Sequence, residues 1–266
     1  MQTNLILAEL QISMNPIMTS LIVAACIFFT GVAALLLHPR LPNSHLTKET
    51  QDVVRLGTGM LSVLASLVLG LLIATAKTSY DTTDQAIRGY AAELILLDET
   101  FRDYGQSAAV PRDLLRQYTS QILADVWPAS GGQPVVLDNQ ITGTMLEHIR
   151  EAIRALKPLD EGQRWLQDQA LQIRTSLLRQ RWLLIEQAGS NIQPVVLAVL
   201  VLWISFIFAT FALNAPRNAT VVTAFLICSL AIGGSIYLIL EMDSPLNGTM
   251  KISDWPLTNA LAHMQP

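Results

Sequence analysis

Residues 55–81 read RLGTGMLSVLASLVLGLLIATAKTSYD, and this stretch decides the fold class. It contains 21 residues without a charge, Leu56 to Ala76, held between Arg55 and Lys77. The hydrocarbon core of a bilayer needs roughly 20 apolar residues of helix. The stretch is therefore predicted to be a transmembrane helix.

Three further segments have the same character. No Lys, Arg, Asp or Glu occurs between Glu9 and Arg40, and the uncharged runs 187–216 and 218–240 are separated only by Arg217. Hydrophobic residues make up 51% of the 266-residue chain and charged residues 14%, well below the roughly 25% of a soluble domain. We predict an all-α membrane protein with four transmembrane helices, surrounded by lipid. The first helix has no basic residue before it, so a cleaved signal peptide is not expected.

The segment after the second span is amphipathic. Six apolar residues recur at spacings of three and four: Ile87, Tyr90, Leu94, Leu97, Phe101 and Tyr104. We call these six residues the seam. No proline occurs between Arg55 and Tyr104, so one helix of about 50 residues is expected, on the order of 75 Å long and ending at Gly105.

Further helices are predicted along the rest of the chain. One begins near Pro111 and ends at Trp127, before a loop over 129–134. The next carries Leu146, Ile149, Ile153 and Leu156 on one face and ends before Pro158. A third is capped by Asp160 and reaches Gly189, and a short one near the end presents Leu257, Leu261 and Met264. The expected divisions are 1–77 (spans one and two), 78–190 (helical cytoplasmic domain), 191–241 (spans three and four) and 242–266 (C-terminal turn and helix).

The basic residues near the membrane predict the orientation. With four spans, both termini and the middle segment share a side, and that side has six such residues against four on the other. The termini and the middle segment are therefore expected in the cytoplasm.

No motif supports catalysis, so the sequence predicts no enzyme, no catalytic residue and no cofactor. The four histidines are scattered, and Glu241 with Asp243 after span four are too few for a metal site, so both acids are expected to be interfacial charges. A net charge of −4 excludes nucleic-acid binding through bulk charge. No ionisable residue lies in the middle of a span, which disfavours active transport.

Small residues recur at every fourth position of span two and form what we call the ridge: Thr58, Ser62, Ser66, Gly70 and Ala74. A ridge of this kind can allow close helix packing. It can also line a narrow pathway whose hydroxyls and freed backbone dipoles face ions. Lys77 follows the ridge and could form a positive ring at a pore mouth, or it could be an ordinary anchor that pairs with Asp81.

Four segments together resemble the bestrophin-like family of bacterial membrane proteins: 55–81, AELILLDETFRDYG at 92–105, NAPRNAT at 214–220 and LEMDSPLNG at 240–248. The resemblance implies a pentamer in the bacterial inner membrane, with span two lining a central pore that passively conducts small inorganic anions such as chloride. The ridge differs from the aromatic and aliphatic neck of bestrophins. Their acidic calcium clasp is reduced here to Glu241 and Asp243.

Two hypotheses from different classes follow. The first is a passive, anion-preferring channel assembled as a homo-oligomer around span two. The second is a non-conducting membrane scaffold that recruits a cytoplasmic partner through its helical domain. The seam is longer than the other cytoplasmic helices need, which favours association between copies in both cases.

Overall fold

The computed structural model describes residues 15–37, 48–128, 135–136, 138–187 and 192–265. Within these ranges the chain is helical and has no strand, as predicted. The helices are α1 (Pro16–Leu37), α2 (Lys48–Tyr104), α3 (Ala109–Val126), α4 (Gln140–Ala155), α5 (Glu161–Gln187), α6 (Pro194–Leu213), α7 (Ala219–Asp243) and α8 (Trp255–His263), with one turn of 3₁₀-helix (Gln106–Ala108) before α3.

Four of these helices, α1, α2, α6 and α7, are long and apolar enough to cross a membrane. This agrees with the four predicted spans. Pro194 is the first residue of α6, where its missing N–H is not needed. The side-chain oxygen of Asn218 accepts a hydrogen bond from the Val221 amide at 2.9 Å and caps the start of α7.

Helix α2 is continuous over 57 residues, longer than the expected helix because it already begins at Lys48. It ends where predicted, since Gly105 has a φ of 97°, a left-handed conformation that favours glycine. The helix contributes to two compact units, described separately below.

The first unit comprises Met1–Ser79 and Asn191–Asp243. Helix α1 packs against α6 and α7 around an apolar core that includes Ile27, Leu200 and Ile236. At Gly233 of α7, an added Cβ would lie only 2.8 Å from the Cβ of Ala24. Glycine is required there because the two helices touch through their backbones.

The second unit comprises Tyr80–Ser190 and Ser244–Pro266. All six residues of the seam are buried in its core, together with residues of α3, α4 and α5. The Oδ1 of Asp160 accepts from the Gln163 amide at 2.7 Å, which confirms the predicted cap of α5. Helix α4 ends at Ala155, before Pro158 as predicted, and Leu156 after it adopts an extended backbone.

The C-terminal segment belongs to this second unit. Leu257 and Met264 are buried in it, and Leu261 is half-buried. Asp98 is 3% exposed and lies 2.9 Å from the Nε of Arg102 and 2.7 Å from that of Arg112. Both arginines also donate to backbone carbonyls at the chain end, those of His263, Met264 and Gln265. This cluster fastens the C-terminal helix to α2 and α3.

Several predicted features lie outside the described residues. They are the chain before Asn15, the bases before Lys48, His38 and His45, the loop 129–134 and the helix end at Gly189.

Candidate pore-lining surface of helix α2

The structure separates the first residue of the ridge from the others. Each residue advances about 100° around a helix, so a step of four residues overshoots one turn by about 40°. Thr58 and Ala74 therefore lie about 160° apart on α2. Thr58 is 2% exposed, and its hydroxyl donates to the Thr210 hydroxyl of α6 at 3.2 Å. At Thr58 the ridge therefore packs against α6, as in the first of its two alternatives, while pore lining by Thr58 stays a prediction.

The remaining ridge residues become progressively more open. Ser62 is half-buried and donates to the Thr58 carbonyl at 2.8 Å. Ser66 is exposed and donates to the Val63 carbonyl at 2.9 Å. A Cβ added at Gly70 would meet no heavy atom within 4 Å, and Ala74 is exposed. Ser66, Gly70 and Ala74 therefore lie on a surface that the first unit leaves uncovered.

Large apolar side chains share that open surface and were not predicted as candidates. They are between 65% and 71% exposed, and they are Met60, Val63, Leu67 and Leu71. The signal that could have identified these residues is their angular position around the helix axis. Small or aliphatic residues that pack inside the first unit, such as Ala65 and Ala76, mark one side of α2, and these four lie across from it.

The backbone of α2 offers no free polar group along this surface. The helix is unbroken from Lys48 to Tyr104, so its interior N–H and C=O groups are engaged with each other. The expected freed backbone dipoles are therefore absent from α2. Any polar contribution must come from the serine hydroxyls and from charges at the ends.

Charges flank the surface. Lys77 is exposed and interacts with another group of the chain. Ser66 and Lys77 are eleven residues apart, close to three full turns, so both lie on nearly the same side of α2 as Gly70. At the other end, Asp52 and Arg55 line a polar cleft of about 450 Å³ with Thr58, Thr210 and Asn214.

The acids at the end of α7 are not interfacial charges as predicted. Glu241 and Asp243 are only 2% and 3% exposed, and neither is without an interaction partner. A buried carboxylate requires such partners because its desolvation is costly. No group of three or more His, Cys, Asp or Glu side chains within the described ranges could hold a metal ion.

Comparison with solved structures shows that the fold of this chain is similar to that of a bacterial bestrophin homologue. A crystal structure of a bacterial bestrophin homologue from Klebsiella pneumoniae, carrying a tryptophan-to-alanine substitution, aligns with a TM-score of 0.67 at 12% sequence identity. The alignment covers 92% of this chain and 95% of that chain, and so shows the same fold. A search of curated proteins found no match.

The family comparison covers most of the chain. A model of the Bestrophin-like domain matches residues 24–257, which include all four apolar helices in whole or in part and most of the second unit. The chain therefore belongs to the Bestrophin-like family.

Proposed function

We propose that this protein is a passive ion channel, preferring small inorganic anions such as chloride, and that α2 lines its pore. The observation that carries the proposal is the open surface of α2. In its most apolar stretch only 11% of residues are buried, against 33% in α1, 33% in α6 and 28% in α7. Of the four apolar helices, α2, which carries the ridge, is the least covered by its own subunit.

An open surface of this kind favours association between copies of the chain. Four apolar helices in one subunit do not enclose a path for an ion, whereas α2 helices from several copies can surround a central axis. Symmetric closed rings are the usual outcome for identical subunits. The resemblance described above favours five copies.

The proposed pore lining is narrower than the original ridge. Ser66, Gly70 and Ala74 remain in it, with Ser62 at its edge, and Thr58 is left out because it is buried against α6. Val63 and Leu67 belong beside them, since they occupy the same open side. The pore would therefore combine short apolar constrictions with two serine hydroxyls per subunit.

The anion preference is proposed from charge. No acidic side chain lies between Arg55 and Lys77, so the path along α2 contains no fixed negative charge. A ring of Lys77 side chains at one mouth would raise the local concentration of anions. The absence of any ionisable group in the middle of a span supports passive conduction over proton-coupled transport.

The orientation in the membrane and the cellular location are proposed from the basic residues and from the family resemblance. The bias of basic residues favours the cytoplasm for the termini and the second unit. Together with the resemblance to bacterial proteins, this favours the inner membrane of a bacterium. No enzyme activity and no cofactor form part of the proposal.

Purified protein in planar bilayers under a chloride gradient tests the proposal. We expect unitary currents whose reversal potential lies near that of chloride. Lys77→Glu should move the reversal potential toward that of the cation, while Lys251→Glu, an exposed lysine of the second unit, should leave it unchanged. Absence of current under every pH and calcium condition would instead support the non-conducting scaffold.

The oligomer can be tested without conduction. Native mass spectrometry in mild detergent and in nanodiscs should detect a closed assembly, and five copies are expected. A monomer under both conditions would contradict a pore shared between subunits.

A further inference from the structure

A small, partly open cavity lies inside the second unit, between α2, α3, α5 and the C-terminal segment. Its volume is about 50 Å³. Most of its wall is aliphatic, including Ile87, Val126, Val136, Leu184, Leu246 and Leu257. The cavity also has polar groups, and Arg181 is the cationic one among its described lining residues.

Arg181 is buried with neutral partners only. Arg181 is 7% exposed. Its Nη2 donates to the Asn139 carbonyl at 2.8 Å and to the Thr142 hydroxyl at 3.1 Å. The guanidinium carbon lies 5.9 Å from the ring centroid of Trp182. No ion pair of Arg181 occurs within the part of the chain that the structure describes.

Arg174, two turns earlier on the same helix, is also buried but forms an ion pair, in contrast to Arg181. It is 4% exposed, its Nη2 lies 2.7 Å from Oε1 of Glu147, and its Nε donates to the Leu146 carbonyl at 3.1 Å. The interaction with Arg174 holds the pKa of Glu147 below its ordinary value. The fold thus supplies a carboxylate to one buried arginine of α5 and neutral groups to the other.

The acid in the cavity is already engaged elsewhere. Asp125 accepts from the side-chain amide of Gln121 at 2.8 Å through Oδ1 and from that of Asn139 at 2.9 Å through Oδ2. Asn139 therefore stands between the two charges, since its carbonyl accepts from Arg181 and its amide donates to Asp125. Asp125 does not act as a direct counter-ion of Arg181.

The phenols near the cavity do not supply a negative charge either. The hydroxyls of Tyr90 and Tyr118 are buried and hydrogen-bonded to each other. Burial raises the pKa of Tyr118 to about 12 and that of Tyr90 well above its ordinary value. Both groups are neutral near pH 7, although the charge of Arg181 acts in the opposite direction on each.

We propose that this cavity is a binding site for a small aliphatic carboxylate anion, of the size of acetate or propionate, with Arg181 as its charge partner. A buried cation without an anion is costly, and the Nη1 of Arg181, which lies outside the two hydrogen bonds above, can donate a charge-assisted hydrogen bond to a carboxylate oxygen. A cavity needs about 10 to 15 Å³ to hold one water, so 50 Å³ admits on the order of four non-hydrogen atoms. The aliphatic wall favours an anion with a methyl end over a strongly hydrated one.

Acetate binding to the full-length protein tests the site independently of conduction. Isothermal titration in acetate-free detergent buffer should give saturable binding, with a Kd on the order of 1 mM because so few atoms make contact. Arg181→Gln should weaken binding at least about tenfold. Arg179→Gln, on the exposed side of the same helix, is the matched control and should bind like the wild type.

A second variant keeps the test valid if Arg181→Gln does not fold. Val126→Leu adds one methylene group to the cavity wall and leaves Arg181 intact, so it should weaken propionate binding more than acetate binding. Equal acetate affinity in Arg181→Gln and the wild type would overturn the proposal. So would a wild-type site that binds chloride but no acetate.

Discussion

The two halves of α2 differ sharply although they belong to one unbroken helix. In the half after Thr83, the six residues of the seam are between 0% and 4% exposed. In the half from Leu56 to Ala76, residues such as Met60 and Leu67 are about 70% exposed. Both halves are rich in apolar residues, but the subunit buries the whole seam of one half and only one side of the other, where Ala65 and Ala76 lie.

This difference changes the argument for association between copies. The seam was expected to exceed the needs of one subunit, and that expectation is wrong because α3, α4, α5 and the C-terminal segment cover it completely. The seam is thus closed to a second copy or to a cytoplasmic partner. The apolar half with the ridge is the part of α2 left to associate, which favours the channel over a scaffold that uses the seam.

The largest expected effect comes from truncating one leucine in each half. Leu94→Ala removes a side chain that is 0% exposed and should lower the free energy of unfolding by about 3 kcal/mol. Leu67→Ala, with the same chemistry at 69% exposure, should change the stability of the subunit by less than about 1 kcal/mol. Denaturation of the detergent-solubilised protein, followed by circular dichroism, measures both. Equal losses of unfolding free energy in the two variants would show that the subunit covers both halves of α2 to the same extent.

The next effect concerns the charge cluster that fastens the C-terminal helix to the covered half. Asp98→Asn leaves Arg102 and Arg112 without their shared buried carboxylate and should cost about 2 to 3 kcal/mol. The same change should raise hydrogen exchange in α8. Asp84→Asn, which breaks the more exposed pair with Arg88, should leave both the stability and the protection of α8 essentially unchanged, because surface ion pairs contribute little. Unchanged exchange of α8 in Asp98→Asn would show that the cluster does not hold the tail.

A pair of serine substitutions sharpens the boundary of the open half. Ser62→Leu places bulk at a half-buried position and should destabilise the subunit by about 1 to 3 kcal/mol. Ser66→Leu projects into open space in the subunit, so it should leave fold and oligomer intact while abolishing conduction. Size-exclusion chromatography and bilayer recording distinguish the two. An oligomer that dissociates with Ser66→Leu would make the ridge a packing surface.

The smallest effect lies in the pH dependence of the second unit. The pKa of Glu147 is lowered chiefly by its hydrogen bond with Arg174. Its stabilising contribution is therefore present above the ordinary value of 4.5 and is lost as the pH falls through the lowered pKa. Glu147→Gln should cost about 1 kcal/mol at pH 7, since the carboxylate is 42% exposed. The difference from the wild type should shrink on acidification, and thermal melts that diverge further would contradict this sign.

Local rules predicted much of the fold. The cap at Asp160 and the stop at Gly105 depend on neighbours within one helix, so the sequence was sufficient for them. The spacing of the seam placed its six residues on one side of α2, but their burial depends on α3, α4, α5 and the C-terminal segment. The burial of Thr58 was missed because a row of every fourth residue winds around the helix, and only the position of α6 decides which end is covered. The burial of Glu241 and the neutral surroundings of Arg181 depend on chain segments far apart in sequence, which periodicity cannot reveal.

The most direct test of the pore assignment is the reaction of single cysteines with a charged, membrane-impermeant thiol reagent during bilayer recording. Cys26 and Cys228 are exposed and would first be replaced by serine. Ser66→Cys and Gly70→Cys should then react and block the current, while Ala65→Cys and Ala76→Cys, on the packed side of α2, should not. Current that persists unchanged after treatment of Ser66→Cys and Gly70→Cys, or that is blocked equally at all four positions, would contradict a pore lined by the open half of α2.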